Sequence, residues 1–194
     1  YQHRVELFEK LSTISGPGKL VFLGDSQVEQ CEWRELFGDS LDVVNRGIVG
    51  DGASGVLRRI DTILAQKPAK IVLWFGVNDL IFGNSVASTV GEYGRVLDKI
   101  NLVKDRPETV VLSVMPTNPE VKTIPVKNAD LAELNQKLAE LARSKNARFI
   151  DLAPAMCDEK GQLRAEFTLD GLHLDGAGYF RLKELLLAEK LFNN

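Results

Sequence analysis

Several residue types and patterns that would announce a chemistry at once are scarce or missing in this chain. Cysteine occurs only twice in 194 residues, as Cys31 and Cys157, and their spacing matches no zinc or redox motif. Both read as ordinary small apolar side chains, and a metal centre is not expected. Histidine is as rare, with His3 and His173 alone. No apolar run approaches the roughly 20 residues that a bilayer-spanning helix needs, so a membrane span is not expected. Basic residues show no excess. The formal net charge is -3 and no basic stripe interleaves with aromatics, so nucleic acid is not an expected partner. Internal repeats, low-complexity tracts and linkers are absent too, and nothing points to an oligomeric state.

What remains is core-forming material. Hydrophobic residues make up 44% of the chain, and its length suits one α/β domain over residues 1–194. Tyr1 rather than Met stands first. This leans the expectation toward export with a signal peptide removed, the alternative being a stretch trimmed in preparation.

Short β-branched or apolar runs recur at 19–23, 42–45, 71–75, 109–114 and 148–151. Being apolar on both faces, each is predicted to be a buried parallel strand. Helical periodicities fill the gaps. Leu131, Leu134, Leu138 and Leu141 form one stripe, with Asn128 or Asp130 as its expected cap. Val56, Leu57, Ile60, Ile63 and Leu64 form a second, and Tyr179, Leu182, Leu185 and Leu186 a third. Val5, Phe8, Leu11 and Ile14 predict a helix closed by Gly16-Pro17-Gly18. The alternation predicts a three-layer, flavodoxin-like α/β sandwich with a five-stranded parallel sheet in the order 2-1-3-4-5. In such sheets chemistry sits beyond the carboxyl ends of the strands.

Four of the five strands are followed by a suggestive group. Gly24-Asp25-Ser26 follows the first, placing a hydroxyl at a strand-to-helix turn. Taken singly, Ser26 also reads as the N-cap of a helix ending near Phe37. The second is followed by a glycine-rich run through Gly50, where backbone N–H groups can approach a bound atom. After the third come Gly76-Val77-Asn78-Asp79, in which Asn78 can offer its side-chain amide to an oxyanion. A long excursion after the fifth returns through Asp170-Gly171-Leu172-His173, a carboxylate three residues before an imidazole. That carboxylate can fold back to hold the ring. Asp175 alternatively caps the last helix, with His173 a mere surface residue. Together the four segments supply nucleophile, base, base-orienter and oxyanion donors, the complement that acyl transfer requires.

At these residues the chain resembles the SGNH/GDSL hydrolase family. Ser26 in GDS, Gly50 in GIVGD, Asn78 in GVND and His173 in DGLH match its four blocks in order. Residues 33–37, 45–51 and Leu172-His173-Leu174 are similar to catalytic subunits of the platelet-activating-factor acetylhydrolase type. The resemblance implies a flavodoxin-like fold and esterase or deacetylase activity without implying that lipid as substrate. The departures are Gln27, where the family name expects Leu, and Val49, where many relatives have a small residue.

The expected reaction is hydrolysis of a small-molecule ester, without cofactor or metal, through an acyl-enzyme on Ser26. His173 is the base, Asp170 its orienter, and Ser26, Gly50 and Asn78 supply the oxyanion donors. Asp25 and Asp79 are expected to brace loops. Gln27, Val77 and Leu172, next to the reacting residues, are expected to flank a small acyl group such as acetyl, with a carbohydrate ester among the expected substrates. Met115 to Thr117 and Leu80 to Phe82 are further candidate walls, a core role being open for the latter. Two rival readings remain. One is a non-catalytic carbohydrate- or protein-binding member of the fold. The other is a dinucleotide module using the GxGxxG-like run 50–55.

Overall fold

The computed structural model describes residues 1–38 and 41–192. The chain opens with α1 (Gln2–Ser12), β1 (Leu20–Gly24), α2 (Ser26–Glu29), α3 (Trp33–Phe37) and β2 (Val43–Gly47). It continues through α4 (Ala53–Leu64), β3 (Lys70–Trp74), α5 (Val77–Ile81), α6 (Val86–Leu102) and β4 (Glu108–Leu112). Then come α7 (Asn128–Ser144), β5 (Arg148–Ile150), α8 (Ala153–Met156) and α9 (Gly176–Ala188), with a 3-10 turn at Ala165–Phe167. The sheet is parallel with order β2-β1-β3-β4-β5, as the alternation predicts. Each strand lies within about two residues of its predicted run, the usual uncertainty of element boundaries.

Period-two alternation sends each strand's side chains to two cores. Val21, Leu23, Ile71, Leu73 and Val111 pack with Val56, Ile60 and Ile63 of α4, with α6, and with Leu131, Leu134 and Leu138 of α7. Phe22, Val72, Trp74, Val110 and Leu112 face Trp33 of α3, Met156 of α8, and Leu182 and Leu186 of α9. The three α7 leucines are essentially sealed from solvent. Burial of each contributes about 1.5–3 kcal/mol, and this face holds the long α7 in place.

Three helix expectations need correction. Neither Asn128 nor Asp130 caps α7; the cap position is Lys127, with no side-chain bond. Asn128 instead turns back to Thr117, accepting from its backbone N–H at 2.8 Å and donating to its carbonyl at 2.8 Å. The helix after Ser26 does not run to Phe37, because Asn45 interrupts it. The Asn45 amide donates to the carbonyls of Val28, Glu29 and Cys31 at 2.9–3.2 Å, which ends α2. Finally, α1 stops at Ser12, before Gly16-Pro17-Gly18. Ile14 is exposed, so the apolar stripe of α1 ends a turn early. Both cysteines are free thiols. Among the described residues no helix is long and apolar enough to cross a membrane.

Candidate active site

Strand register sets the site. Gly24 at the end of β1 pairs with Gly47 of β2 and with Trp74 of β3, so the three strands finish at one level. Ser26, Gly50 and Asn78 then follow within a few residues of that common line, on three neighbouring loops. Ser26 is the first residue of α2 and its preceding cap is Asp25, whose carboxylate accepts from the Gln27 N–H at 3.0 Å. The cap role open to Ser26 in the sequence is thus taken by its neighbour. The Ser26 hydroxyl reaches the crevice, with Oγ 2.9 Å from His173 Nε2.

The imidazole arrives on the excursion between α8 and α9. Asp170 folds back over three residues. Its Oδ1 accepts from the backbone N–H groups of Leu172 and His173, and its Oδ2 lies 2.7 Å from His173 Nδ1. The tight return needs glycine at Gly171. Its φ is +78°, and a Cβ there would lie 2.6 Å from the Asn118 carbonyl. Burial pushes the Asp170 carboxyl up, but the bonds from the His173 ring and the two backbone N–H groups outweigh it and hold it down at about 2. Asp170 is therefore an ionised acceptor at neutral pH. The proton of the neutral ring accordingly sits on Nδ1, and the Nε2 lone pair faces Ser26. Asp175 also caps α9, accepting from Gly178 N–H at 2.9 Å. The capping reading of Asp175 and the base reading of His173 are thus compatible.

Beside Ser26 lies a cluster of backbone and amide donors. The N–H groups of Ser26 and Gly50 meet no acceptor among the described residues. Gly50 has φ +74°, a left-handed conformation that shapes this loop. The Asn78 amide donates one N–H to the Asp51 carbonyl at 2.9 Å, which orients the side chain and leaves its second N–H for a ligand. Beneath these donors sit three buried carboxylates, Asp25, Asp51 and Asp79. Burial raises the Asp25 carboxyl to about 7; the Gln27 N–H opposes this, and the charges of Asp51 and Asp79 add to it. Burial also pushes Asp79 up, opposed by the Ala53 N–H that both its oxygens accept at 3.0–3.1 Å. As expected, then, Asp25 and Asp79 brace the two helix starts. The Asp79 bond also closes the GxGxxG-like run to a dinucleotide. A phosphate would need the N-terminus of α4, which a carboxylate already occupies.

Of the expected walls, the structure keeps few. Gln27 does not face a substrate. It is buried, its Nε2 donates to the Leu172 carbonyl at 2.7 Å, and its Oε1 accepts from Leu174 N–H at 3.3 Å. It therefore clasps the backbone on both sides of His173. Val77 is also turned inward, into the core with Phe75 and Ala53. Adjacency in sequence placed both near the reaction, but helix geometry points their side chains elsewhere. Met115, Pro116 and Thr117 are buried as well. Leu172 is half-buried at the edge of the core, Leu80 packs inside, and Phe82 is 70% exposed.

Three positioning residues were not foreseen. Tyr179 donates to the Gln27 carbonyl at 2.8 Å, which ties α9 to α2. Asn118 donates through its backbone to the Gly171 carbonyl at 2.8 Å and through its side chain to Leu163 at 2.7 Å, anchoring the returning loop. Arg59, 4% exposed, pairs with Asp51. A signal for Arg59 does exist in the sequence. It falls at a buried position of the α4 stripe formed by Val56, Ile60 and Ile63, and a charge on that face requires a buried partner.

The family model described as "GDSL-like Lipase/Acylhydrolase family" matches residues 12–181. The human platelet-activating factor acetylhydrolase IB subunit alpha1 is 32% identical over 167 residues, covering 83% of this chain and 70% of that protein. A structure from Streptococcus pneumonia, described as a platelet activating factor, superposes with a TM-score of 0.91 at 30% identity, covering 97% of this chain and 91% of that one. The acetyl xylan esterase AlAXEase shares the fold, with a TM-score of 0.72 at 19% identity over 88% of this chain and 98% of its own.

Proposed function

This chain belongs to the GDSL-like lipase/acylhydrolase family, and we propose that within it the chain is a serine esterase for small acyl groups, acetyl above all. The observation that carries the reading is the pair of contacts joining Ser26 Oγ to His173 Nε2 at 2.9 Å and His173 Nδ1 to Asp170 Oδ2 at 2.7 Å. They form a proton path from hydroxyl to imidazole, with a carboxylate behind it.

In the proposed reaction, Ser26 Oγ attacks the ester carbonyl while His173 Nε2 takes its proton. Asp170 holds the ring and stabilises the imidazolium. The tetrahedral oxyanion is received by the Ser26 and Gly50 N–H groups and the free N–H of Asn78. Each such donor is worth about 2.7–4 kcal/mol of barrier. Collapse breaks the carbonyl carbon–alkoxy bond, and the alcohol departs with the proton from His173. Water, deprotonated by His173, then attacks the acyl-Ser26 ester and releases the acid. No cofactor takes part in these steps.

The acetyl preference draws support from the relatives named for acetyl hydrolysis. The test compares nitrophenyl acetate with nitrophenyl octanoate, and acetylated sugars with an acetylated glycerolipid, using Ser26→Ala as control. Hydrolysis of acetyl esters that vanishes in Ser26→Ala is expected. Equal hydrolysis in both proteins ends the esterase reading, and faster octanoate turnover ends the acetyl preference. The sugar and lipid arms identify the alcohol.

A further inference from the structure

We propose that Arg59 is the positioning residue of the oxyanion-binding corner, a role that rests on the esterase reading above and deepens it. Arg59 lies on α4, away from the reacting atoms, but its guanidinium bonds the segments that carry Ser26 and Gly50 directly and reaches Asn78 through Asp51. Nη2 donates to the Gly24 carbonyl at the end of β1 at 2.9 Å, and Nη1 donates to the Arg46 carbonyl near the end of β2 at 2.8 Å. Nε and Nη2 both reach Asp51 Oδ2 at 2.8 Å. A planar, rigid fork can hold several acceptors in one geometry in a way that an ammonium cannot.

Each acceptor stands next to a proposed donor. Gly24 is two residues before Ser26. Arg46 begins the run to Gly50, and the Gly24 carbonyl also accepts from Ile48 N–H in that run at 3.1 Å. Asp51 directly follows Gly50, and its own carbonyl takes the orienting bond from Asn78 at 2.9 Å. The Asp51 carboxylate fits only because residue 55 is glycine; a Cβ there would fall 1.6 Å from its Oδ1. One buried cation thus ties the Ser26 and Gly50 segments together directly, and Asp51, which it grips, carries the link on to Asn78. Water has little access, since the Arg59 and Asp51 side chains are 4% and 2% exposed. The neighbouring Arg58, by contrast, is exposed and serves as an internal control.

The test replaces Arg59 with Lys, which keeps the charge but cannot span the acceptors. A charge-neutral Arg59→Leu, Asp51→Asn double variant covers the case in which Arg59→Lys fails to fold, and Arg58→Lys is the control. The readouts are kcat and KM per folded molecule, affinity for methylboronic acid, and the 15N signals of Ser26, Gly50 and the Asn78 side chain. The boronic acid forms a tetrahedral adduct on Ser26 whose hydroxyl needs the same donors. In the Arg59 variant, kcat is expected to fall roughly 10- to 100-fold, the scale of a misplacement of about 1 Å, with KM little changed. Boronate affinity should fall by the same factor and the three signals should move, while Arg58→Lys matches the wild type.

Unchanged kcat per folded molecule, unchanged boronate affinity and unmoved signals overturn the proposal. So does a loss of activity that merely follows the loss of folded protein. If the wild-type protein hydrolyses no ester, the esterase reading fails instead. The 15N signals then still decide whether Arg59 holds these donors in place.

Discussion

The two halves of the site are built differently. The side bearing Ser26, Gly50 and Asn78 rests on a buried polar network of Arg59, Asp51, Asp25 and Asp79, each no more than 4% exposed. The side bearing Asp170 and His173 is a returning loop whose two side chains are 43% and 26% exposed. It is held from outside, by Gln27 and Asn118. The first side ties its chemistry to the stability of the fold, because an unpaired buried charge or amide costs far more than an exposed one. The second can lose chemistry with little loss of stability. That contrast says where activity and folding should part company.

The largest expected effect lies on the exposed side. Asp170→Asn should lower kcat about 10⁴-fold on the proposed mechanism, by favouring the wrong imidazole tautomer, while the melting temperature changes little. Thermal melts run beside the kinetics check both halves; a large drop in melting temperature would break the contrast. Asp170 stays ionised down to about 2, so an acid limb in the rate profile near neutral pH should not be its own.

The next effect lies on the buried side and concerns stability. Asp25 keeps its proton up to about 7 in the folded protein, whereas the ordinary value is 3.8. Between these values the folded state holds more protons than the unfolded one. The contribution of Asp25 is thus fully present below about 4 and lost as pH rises through about 7. The loss amounts to roughly 4 kcal/mol. Denaturant melts across this range should show Asp25→Asn declining less than the wild type. Parallel curves would mean that Asp25 is not the titrating group.

Asn78→Ala should cost both quantities. A fall in kcat of about 10²- to 10³-fold is expected for the lost donor, together with about 1 kcal/mol of stability for the lost bond to Asp51. Activity loss alone would remove Asn78 from the buried network. The smallest effect is expected at the seam between the two sides. Gln27→Ala should lower kcat about tenfold with KM unchanged, and destabilise by about 1–3 kcal/mol, since the backbone groups beside His173 lose their partners. A change in KM with kcat intact would return Gln27 to the substrate wall.

The same contrast explains what could be read from the chain beforehand. The strands were legible because each is apolar on both faces. The positions of Ser26 and Asn78 were legible because each belongs to a short turn at a strand end, and the pairing of Asp170 with His173 because a spacing of three lets the carboxylate fold back on the ring. What could not be read is what depends on side-chain direction across the fold. Gln27 and Val77 sit beside reacting residues in sequence but point into the interior. Asn128 looks like a cap and is instead drawn to Thr117, and Asn45 ends α2 from a neighbouring strand. Arg59 left a trace as a charge on the buried face of an otherwise apolar helix, but its partners lie 8 to 35 residues away.

The most direct measurement is covalent labelling with diethyl nitrophenyl phosphate, followed by peptide mapping. An activated serine should take up one diethylphosphoryl group at Ser26, with acetyl-ester hydrolysis falling in step with labelling, and His173→Ala should label far more slowly. Modification elsewhere, or full activity retained with Ser26 completely phosphorylated, would contradict the account.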